Sequence, residues 1–285
     1  MLYSEIFRSI QGEGHYTGVP TVWLRFFGCN LECNGFGQKD PTDPSTYELP
    51  YEKIDLTDIM AVEDLPVFKF GCDSSYSWSK KFAKIQKSKS PETIAEELQD
   101  MMMENYHLAF TGGEPLLPAA QKNMVKILKH FKQKNPDLAS RGFQMTPSHI
   151  TIETNGTKPL KEGLRDWIRG HNQEFFFSCS PKIFGTSGEK DAIKPEVVKE
   201  YWNVSHKGQL KFVCNGSDQS WNEIEDAIVQ FRNAGVNYPI WIMPVGALEE
   251  TQKDNAAMIA EQTMDRGYNV SARVHCYIWG NQIGT

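Results

Sequence analysis

The chain has 285 residues, 40% of them hydrophobic and 23% charged, with a formal net charge of −6. That length supports one large core and fits a single-domain α/β barrel. The acidic balance argues against direct binding of nucleic acid, and no stretch is long and apolar enough to span a bilayer. The first residues, 1–8, lack the basic region and apolar run of a secretory signal. The six cysteines read as reduced thiols, so a cytoplasmic protein is expected.

Short β-rich apolar runs recur near 22–27, 107–111, 149–153, 174–179, 209–213, 239–243 and 269–275. Before the first of them, Ser9-Ile10-Gln11-Gly12-Glu13-Gly14 places two glycines around an acid, which suits a loop folded over a ligand and equally an ordinary turn. Arg25 lies within the first run. Facing a barrel interior it would anchor a carboxylate; facing out it would be paired or solvated. Cys29 and Cys33 follow directly. The segment from Asn34 to Phe70 then breaks the rhythm with four prolines and many acids, and reads as an insertion with a short helix around 55–62. It ends at Cys72-Asp73-Ser74.

Beyond it, Ser90 as N-cap and Pro91 at the first helical position open a helix whose Ile94, Leu98, Met101 and Met102 share one face. Further helices are expected over 119–134, 219–234 and 252–266. Thr111-Gly112-Gly113-Glu114-Pro115 follows the strand near 107–111. Its glycines would let the backbone approach a ligand, and Glu114 could accept from an amino group. Glu153 and Asn155 in Glu-Thr-Asn-Gly, and Lys182 in Ser180-Pro181-Lys182, end two further strands, where α/β folds bind ligands. Asn-Gly is also a common turn, and His275 at the end of the last strand reads by itself as structural. Repeated strand–helix units imply a mainly parallel sheet, doubly wound or rolled into a full or partial barrel.

Two close thiols leaving a strand, with Cys72 arriving after a 38-residue interval (34 to 71), suggest metal or iron–sulfur chemistry rather than a disulfide. Three thiolates on a cluster leave one position open for chemistry. Alone, the pair could equally be buried thiols or half of a structural zinc site.

Together these pieces resemble the radical S-adenosylmethionine superfamily, and within it the 7-carboxy-7-deazaguanine synthase (QueE) family. The resemblance runs from Gln11-Gly12-Glu13-Gly14 and Gly18-Val19-Pro20 through the cysteines, Thr-Gly-Gly-Glu-Pro, Glu-Thr-Asn-Gly and Ser-Pro-Lys to His275. It implies an α/β fold with a partial (β/α)6-type barrel, a single domain over 1–285, and an insertion at 34–71 within the cysteine loop. It implies a 4Fe–4S cluster on Cys29, Cys33 and Cys72, and Mg²⁺ at Ser74. S-adenosylmethionine would lie against Asp73, Gly113, Glu114, Ser180, Pro181, Lys182, Met243 and Pro244. A pterin would lie against Ile10, Gln11, Gly12, Glu13, Arg25, Thr111, Glu153, Asn155 and His275.

The implied reaction is radical ring contraction of 6-carboxy-5,6,7,8-tetrahydropterin to 7-carboxy-7-deazaguanine with loss of ammonia, feeding queuosine-type 7-deazapurine biosynthesis. A homodimer and a flavodoxin or ferredoxin reductant go with it. The chain departs from the family pattern in four places. Phe36 stands where the third cysteine of the compact motif falls, Ser74 replaces Thr, Arg273 stands where Gln is common, and Cys276 where Lys is common. The rival readings are another radical enzyme, such as a glycyl-radical activase, and a non-catalytic zinc-binding module.

Overall fold

A computed structural model describes residues 1–103, 105–133 and 147–285. Its strands are β1 (Leu2–Ile10), β2 (Pro20–Phe26), β3 (Lys87–Ser88), β4 (His107–Gly112), β5 (His149–Thr154), β6 (Glu174–Cys179), β7 (Gly208–Cys214), β8 (Ile240–Pro244) and β9 (Asn269–Val270). They form one sheet in the order β3-β1-β2-β4-β5-β6-β7-β8-β9. From β2 through β9 every neighbouring pair is parallel; β1 joins β2, and β3 joins β1, antiparallel. The sheet stays open at β3 and β9, so the barrel is partial.

The helices are α1 (Pro50–Lys53), α2 (Pro91–Met101), α3 (Pro118–Gln133), α4 (Glu162–Gly170), α5 (Phe184–Ser187), α6 (Pro195–Trp202), α7 (Asp218–Asn233), α8 (Glu249–Asp265) and α9 (Val274–Trp279). Six strand–helix units follow one another: β2 with α2, β4 with α3, β5 with α4, β6 with α6, β7 with α7 and β8 with α8. Neighbouring helices pack side by side, α2 on α3 and α3 on α4. Local signals start them where expected. Ser90 Oγ accepts from the Thr93 N–H at 3.1 Å, and Ser217 caps α7 in the same way at 3.2 Å. Residue 134, the last of the expected second helix, lies outside the described residues.

Strand alternation sorts the side chains. Leu24 and Phe26 of β2, Leu108 and Phe110 of β4, Ile150 and Ile152 of β5, and Leu210 and Phe212 of β7 belong to the main apolar core. Their neighbours Arg25, Thr111, Glu153 and Lys211 fall on the other face and line a cleft. The polar residues inside apolar runs are therefore the inward ones.

Three expectations change. Leu2–Ile10 is a strand that sequence reading left out, because Ser4, Glu5, Arg8 and Ser9 interrupt its apolar pattern. Glu5 is nonetheless buried there, since its carboxylate accepts from Arg25 Nε at 2.6 Å and from the Tyr76 hydroxyl at 2.7 Å. The helix expected around 55–62 is absent. Asp55 accepts from the Thr57 N–H at 3.0 Å and Asp64 from the Met60 and Ala61 N–H groups at 3.2 and 3.0 Å, so side chains take the donors that a helix would use. The helical turn lies earlier, at Pro50–Lys53. Finally, the strand expected over 269–275 covers only Asn269–Val270, and His275 sits in the first turn of α9. The Val274 N–H donates to Gly12 O at 2.9 Å, which pulls the chain off the sheet toward the N-terminal loop.

The insertion carries its own small apolar cluster of Tyr51, Val62, Leu65 and Phe68, joined by Tyr76 and Phe82 that follow it. At its neck the Gly71 N–H donates to Phe36 O at 2.8 Å, and Gln38 Nε2 donates to Asn34 O at 3.0 Å and Glu48 O at 2.8 Å. Closing a loop costs entropy only as the logarithm of its length, about 0.6 kcal/mol per doubling, so an insertion pinned at its base is a small burden. Among the described residues no helix is long and apolar enough to cross a membrane.

Candidate active site

A cleft of about 280 Å³ opens at the C-terminal ends of β2, β4, β5, β6, β7 and β8. Cys29, Cys33 and Cys72 all line it, and all six cysteines of the chain are unpaired. The neck of the insertion explains the meeting. Phe36 pairs through its backbone with Gly71, so Cys72 returns beside the position where a compact motif would carry its third cysteine. Cys33 adopts a left-handed backbone conformation, φ 52°, rare for a residue with a side chain. Glu189 holds that turn by accepting from the Glu32 and Cys33 N–H groups at 2.7 and 2.6 Å.

The donor chemistry suits an iron–sulfur cluster. Burial pushes the Cys29 thiol up to about 11 and the Cys72 thiol up to about 12, and raises Cys33 well above its ordinary value. These thiols stay protonated until a metal displaces the protons, so loading releases protons. The Leu31 N–H donates to Cys29 Sγ at 3.4 Å, and the buried Trp78 indole N–H lies beside Cys72. Among the described residues no three His, Cys, Asp or Glu side chains converge on one ion.

Gly112 and Gly113 line the cleft and also meet neighbouring backbone. A Cβ on Gly112 would stand 2.5 Å from Phe26 O, and one on Gly113 would stand 2.3 Å from Gly28 O and 2.8 Å from the Cys29 Cβ. The close approach is therefore between two pieces of backbone, locking the cysteine loop onto the end of β4. Glu114 is wholly buried behind that wall. Its carboxylate accepts from the Leu116 N–H, the Thr154 hydroxyl and the Asn155 N–H, each at 2.8 Å, tying β4 to β5. Burial raises its carboxyl above the ordinary carboxylate value.

The opposite side of the cleft is a polar network. Glu153 accepts from Gln11 Nε2 at 3.2 Å and from the Thr111 hydroxyl at 3.1 Å. Arg25, held by Glu5, reaches Ser74 Oγ at 3.3 Å, and Ser74 Oγ donates to Asp73 at 3.2 Å. Glu13 is paired with both Lys211 and Arg273, the latter at 2.9 Å. Burial alone would raise the Glu13 carboxyl, but the two cations outweigh it and hold it far below the ordinary range. His275 is held down to about 4 by burial and by the neighbouring Arg273 cation, so it is neutral near pH 7. A Cβ on Gly12 would lie 1.9 Å from His275 Nδ1, so only glycine leaves room for that ring. Lys182 Nζ donates to Ser180 Oγ at 2.9 Å and lies over the Phe36 ring, next to an apolar wall of Val213, Met243 and Val245.

Of the residues expected at the site, Ile10, Gln11, Gly12, Glu13, Arg25, Asp73, Ser74, Thr111, Gly113, Glu153, Asn155, Ser180, Lys182, Met243, Pro244 and His275 line this cleft with the three cysteines. Glu114 and Pro181 do not, and Glu114 turns its carboxylate to three donors of the protein itself. Sequence reading missed Lys211, Glu189 and the role of Arg273. Lys211 had a signal, a lone lysine in the apolar run Leu210-Lys211-Phe212-Val213; Glu189 had none.

Comparisons with known proteins agree with this geometry. A family model described as a 4Fe-4S single cluster domain matches residues 69–150, a span that includes Cys72. The chain is 26% identical over 284 residues to the 7-carboxy-7-deazaguanine synthase of Leptospira interrogans, covering 98% of this chain and 96% of that protein. It is 24% identical to the enzyme of that name from Pyrobaculum aerophilum, covering 98% and 95%. Over 179 residues it is 61% identical to the one from Bacteroides thetaiotaomicron, covering 63% and 59%. The crystal structure of QueE from Escherichia coli superposes with a TM-score of 0.51 at 18% identity, covering 96% of this chain and 94% of that one, a likeness of fold. End to end, the chain is similar to several enzymes named 7-carboxy-7-deazaguanine synthase, and it shares the fold of QueE, a partial barrel, here with a cysteine-lined cleft.

Proposed function

We propose that the chain is a radical S-adenosylmethionine lyase that contracts 6-carboxy-5,6,7,8-tetrahydropterin to 7-carboxy-7-deazaguanine with loss of ammonia. One observation carries the reading: Cys29 and Cys33, with Cys72 from far along the chain, line the same cleft as Gln11, Arg25, Thr111 and Glu153. Cys29, Cys33 and Cys72 would hold the 4Fe–4S cluster, and Gly113, Ser180, Lys182, Met243 and Pro244 would receive S-adenosylmethionine. Bound there, the pair supplies the one-electron chemistry that begins with hydrogen abstraction from the substrate.

The protein's own part is to bind, orient and exclude water. Arg25, oriented by Glu5 and Ser74, offers its guanidinium to the substrate carboxylate. Glu153, held by Gln11 and Thr111, keeps lone pairs for the amino edge of the pterin. Neutral His275 offers a ring nitrogen without adding charge. Phe36, Val213, Met243 and Val245 form the dry wall that a reactive intermediate needs. Ser74 Oγ, with Asp73 beside it, supplies oxygen donors of the kind Mg²⁺ uses, while the adjacent Arg25 opposes a second cation there. The reading extends to one domain with an inserted cysteine loop, a cytoplasmic homodimer, a flavodoxin or ferredoxin reductant, and a product that enters queuosine-type biosynthesis.

Anaerobic reconstitution is the first test. A brown protein with a reducible cluster is expected, and a colourless protein carrying stoichiometric zinc overturns the reading. Conversion of the carboxy-tetrahydropterin to the deazaguanine is the decisive assay. An intact cluster that cleaves S-adenosylmethionine without forming that product would move the chain toward the activase type.

A further inference from the structure

Arg273 is buried, with a side chain only 10% exposed, and every nitrogen of its guanidinium is engaged. Nε donates to Glu13 at 2.9 Å, Nη1 to Gly246 O at 2.8 Å, and Nη2 to Asp73 at 2.6 Å. These partners come from three separate places. Glu13 sits in the loop between β1 and β2, Gly246 follows β8, and Asp73 is the residue after Cys72. Arg273 itself caps α9, whose first turn carries His275 against Gly12. One planar side chain thus spans the loop that ends in a cysteine and the loop that faces the pterin side of the cleft.

The two arms are unequal. Glu13 has a second cation in Lys211, so it stays paired if Arg273 is lost. Asp73 has no other ion pair among the described residues, and without Arg273 it keeps only the Ser74 hydroxyl at 3.2 Å. Asp73 is only part-buried and still feels the Arg25 cation through Ser74, so what it loses with Arg273 is its one direct ion pair. Losing Arg273 therefore leaves Glu13 on Lys211 and cuts its link to Asp73, beside Cys72, a residue 201 positions away from Arg273 in the chain.

We propose that Arg273 is a positioning residue that couples the cysteine loop to the substrate loop: once Cys72 is fixed by the cluster, Asp73 and Arg273 fix Glu13 and the backbone of Gly12–His15. The proposal rests on the cluster assignment above. A static ion pair that merely stabilised the fold would hold Glu13 equally well with the cysteines empty or filled.

The test is hydrogen–deuterium exchange of residues 9–16 in full-length protein, cluster-free and reconstituted, for wild type, Arg273→Gln and Arg273→Lys. Reconstitution is expected to slow exchange in that loop in the wild type and to leave it unchanged in Arg273→Gln, with the same iron and sulfide content in both. Arg273→Lys, which can reach only one of the two carboxylates, should behave like Arg273→Gln. Pterin affinity, measured without S-adenosylmethionine so that no turnover occurs, should weaken about 10–100-fold in Arg273→Gln, the range seen when groups that orient a site are removed. Asp73→Asn should add little to that loss in the double variant. Equal protection of the loop on reconstitution in wild type and Arg273→Gln overturns the coupling. If Arg273→Gln does not fold, Arg273→Lys decides by the same comparison. The exchange measurement uses no pterin, so it stands apart from the substrate assignment: a protein that shows the coupling but binds no carboxy-tetrahydropterin would refute the proposed function alone.

Discussion

The role of Glu114 is the sharpest consequence of the geometry, because its neighbours would suggest a ligand contact and its hydrogen bonds indicate a brace. Replacing it with alanine strips three buried donors, the Leu116 and Asn155 N–H groups and the Thr154 hydroxyl, of their acceptor at 2.8 Å each. An unsatisfied buried polar group costs about 1–3 kcal/mol, so the three together cost about 3–9 kcal/mol before relaxation and water entry reduce the sum. Against a typical total stability of about 5–15 kcal/mol, Glu114→Ala should unfold much of the protein or lower its urea midpoint steeply. Glu114→Gln keeps one acceptor oxygen and turns an amide N–H₂ toward a donor, so it should lose less, about 1–3 kcal/mol. The assay is urea unfolding of the cluster-free, reduced protein followed by far-ultraviolet circular dichroism. Cluster-free protein is the right sample, since a ligand-contact residue would have no effect there. If Glu114→Ala unfolds within about 0.5 kcal/mol of wild type, the ordinary range for an exposed site, and loses only S-adenosylmethionine affinity, the brace is refuted.

Three further predictions follow from the same structure. Cys72→Ala should abolish cluster assembly as fully as Cys29→Ala or Cys33→Ala, while Cys179→Ala, Cys214→Ala and Cys276→Ala keep wild-type iron and sulfide content; a full cluster in Cys72→Ala would remove it from the ligand set. Gly113→Ala should lower cluster occupancy while leaving the fold intact, because its Cβ would strike Gly28 O at 2.3 Å and push the Cys29 loop away; unchanged iron content would count against that lock. His149, stacked on His107 with centroids 3.6 Å apart, is held to about 4 by burial and by that ring, against an ordinary 6.5. The unfolded chain therefore binds a proton below pH 6.5 that the folded chain refuses, so stability falls as pH drops from about 6.5 to 4, by at most about 3 kcal/mol. His149→Phe should flatten urea midpoints measured between pH 7 and 5; a slope equal to wild type would assign the acid sensitivity elsewhere.

Legible in the linear pattern were the strand–helix alternation, the helix start at Ser90, and the placement of Thr111, Glu153 and Lys182 at strand ends. These follow from local physics: side-chain period, capping hydroxyls, and the rule that parallel strands present their C-terminal ends to ligands. The edge strand Leu2–Ile10 was not legible, because what permits its buried Glu5 is Arg25, a partner on another strand. Nor was the contact of Gly112 and Gly113 with neighbouring backbone, since what a glycine meets depends on what packs against it. Asp55 and Asp64 spent backbone donors that helix propensity assumed were free, and the Val274 contact with Gly12 moved His275 from a strand to a helix. The family resemblance implied that Cys72 joins Cys29 and Cys33, and the fold supplies the means. The means is the Phe36–Gly71 hydrogen bond at the neck of the insertion, a contact between residues 35 positions apart that no local pattern encodes. Only the tertiary structure decided that Lys211 and Arg273 share Glu13, because the charge on a buried side chain has meaning only beside the group that balances it.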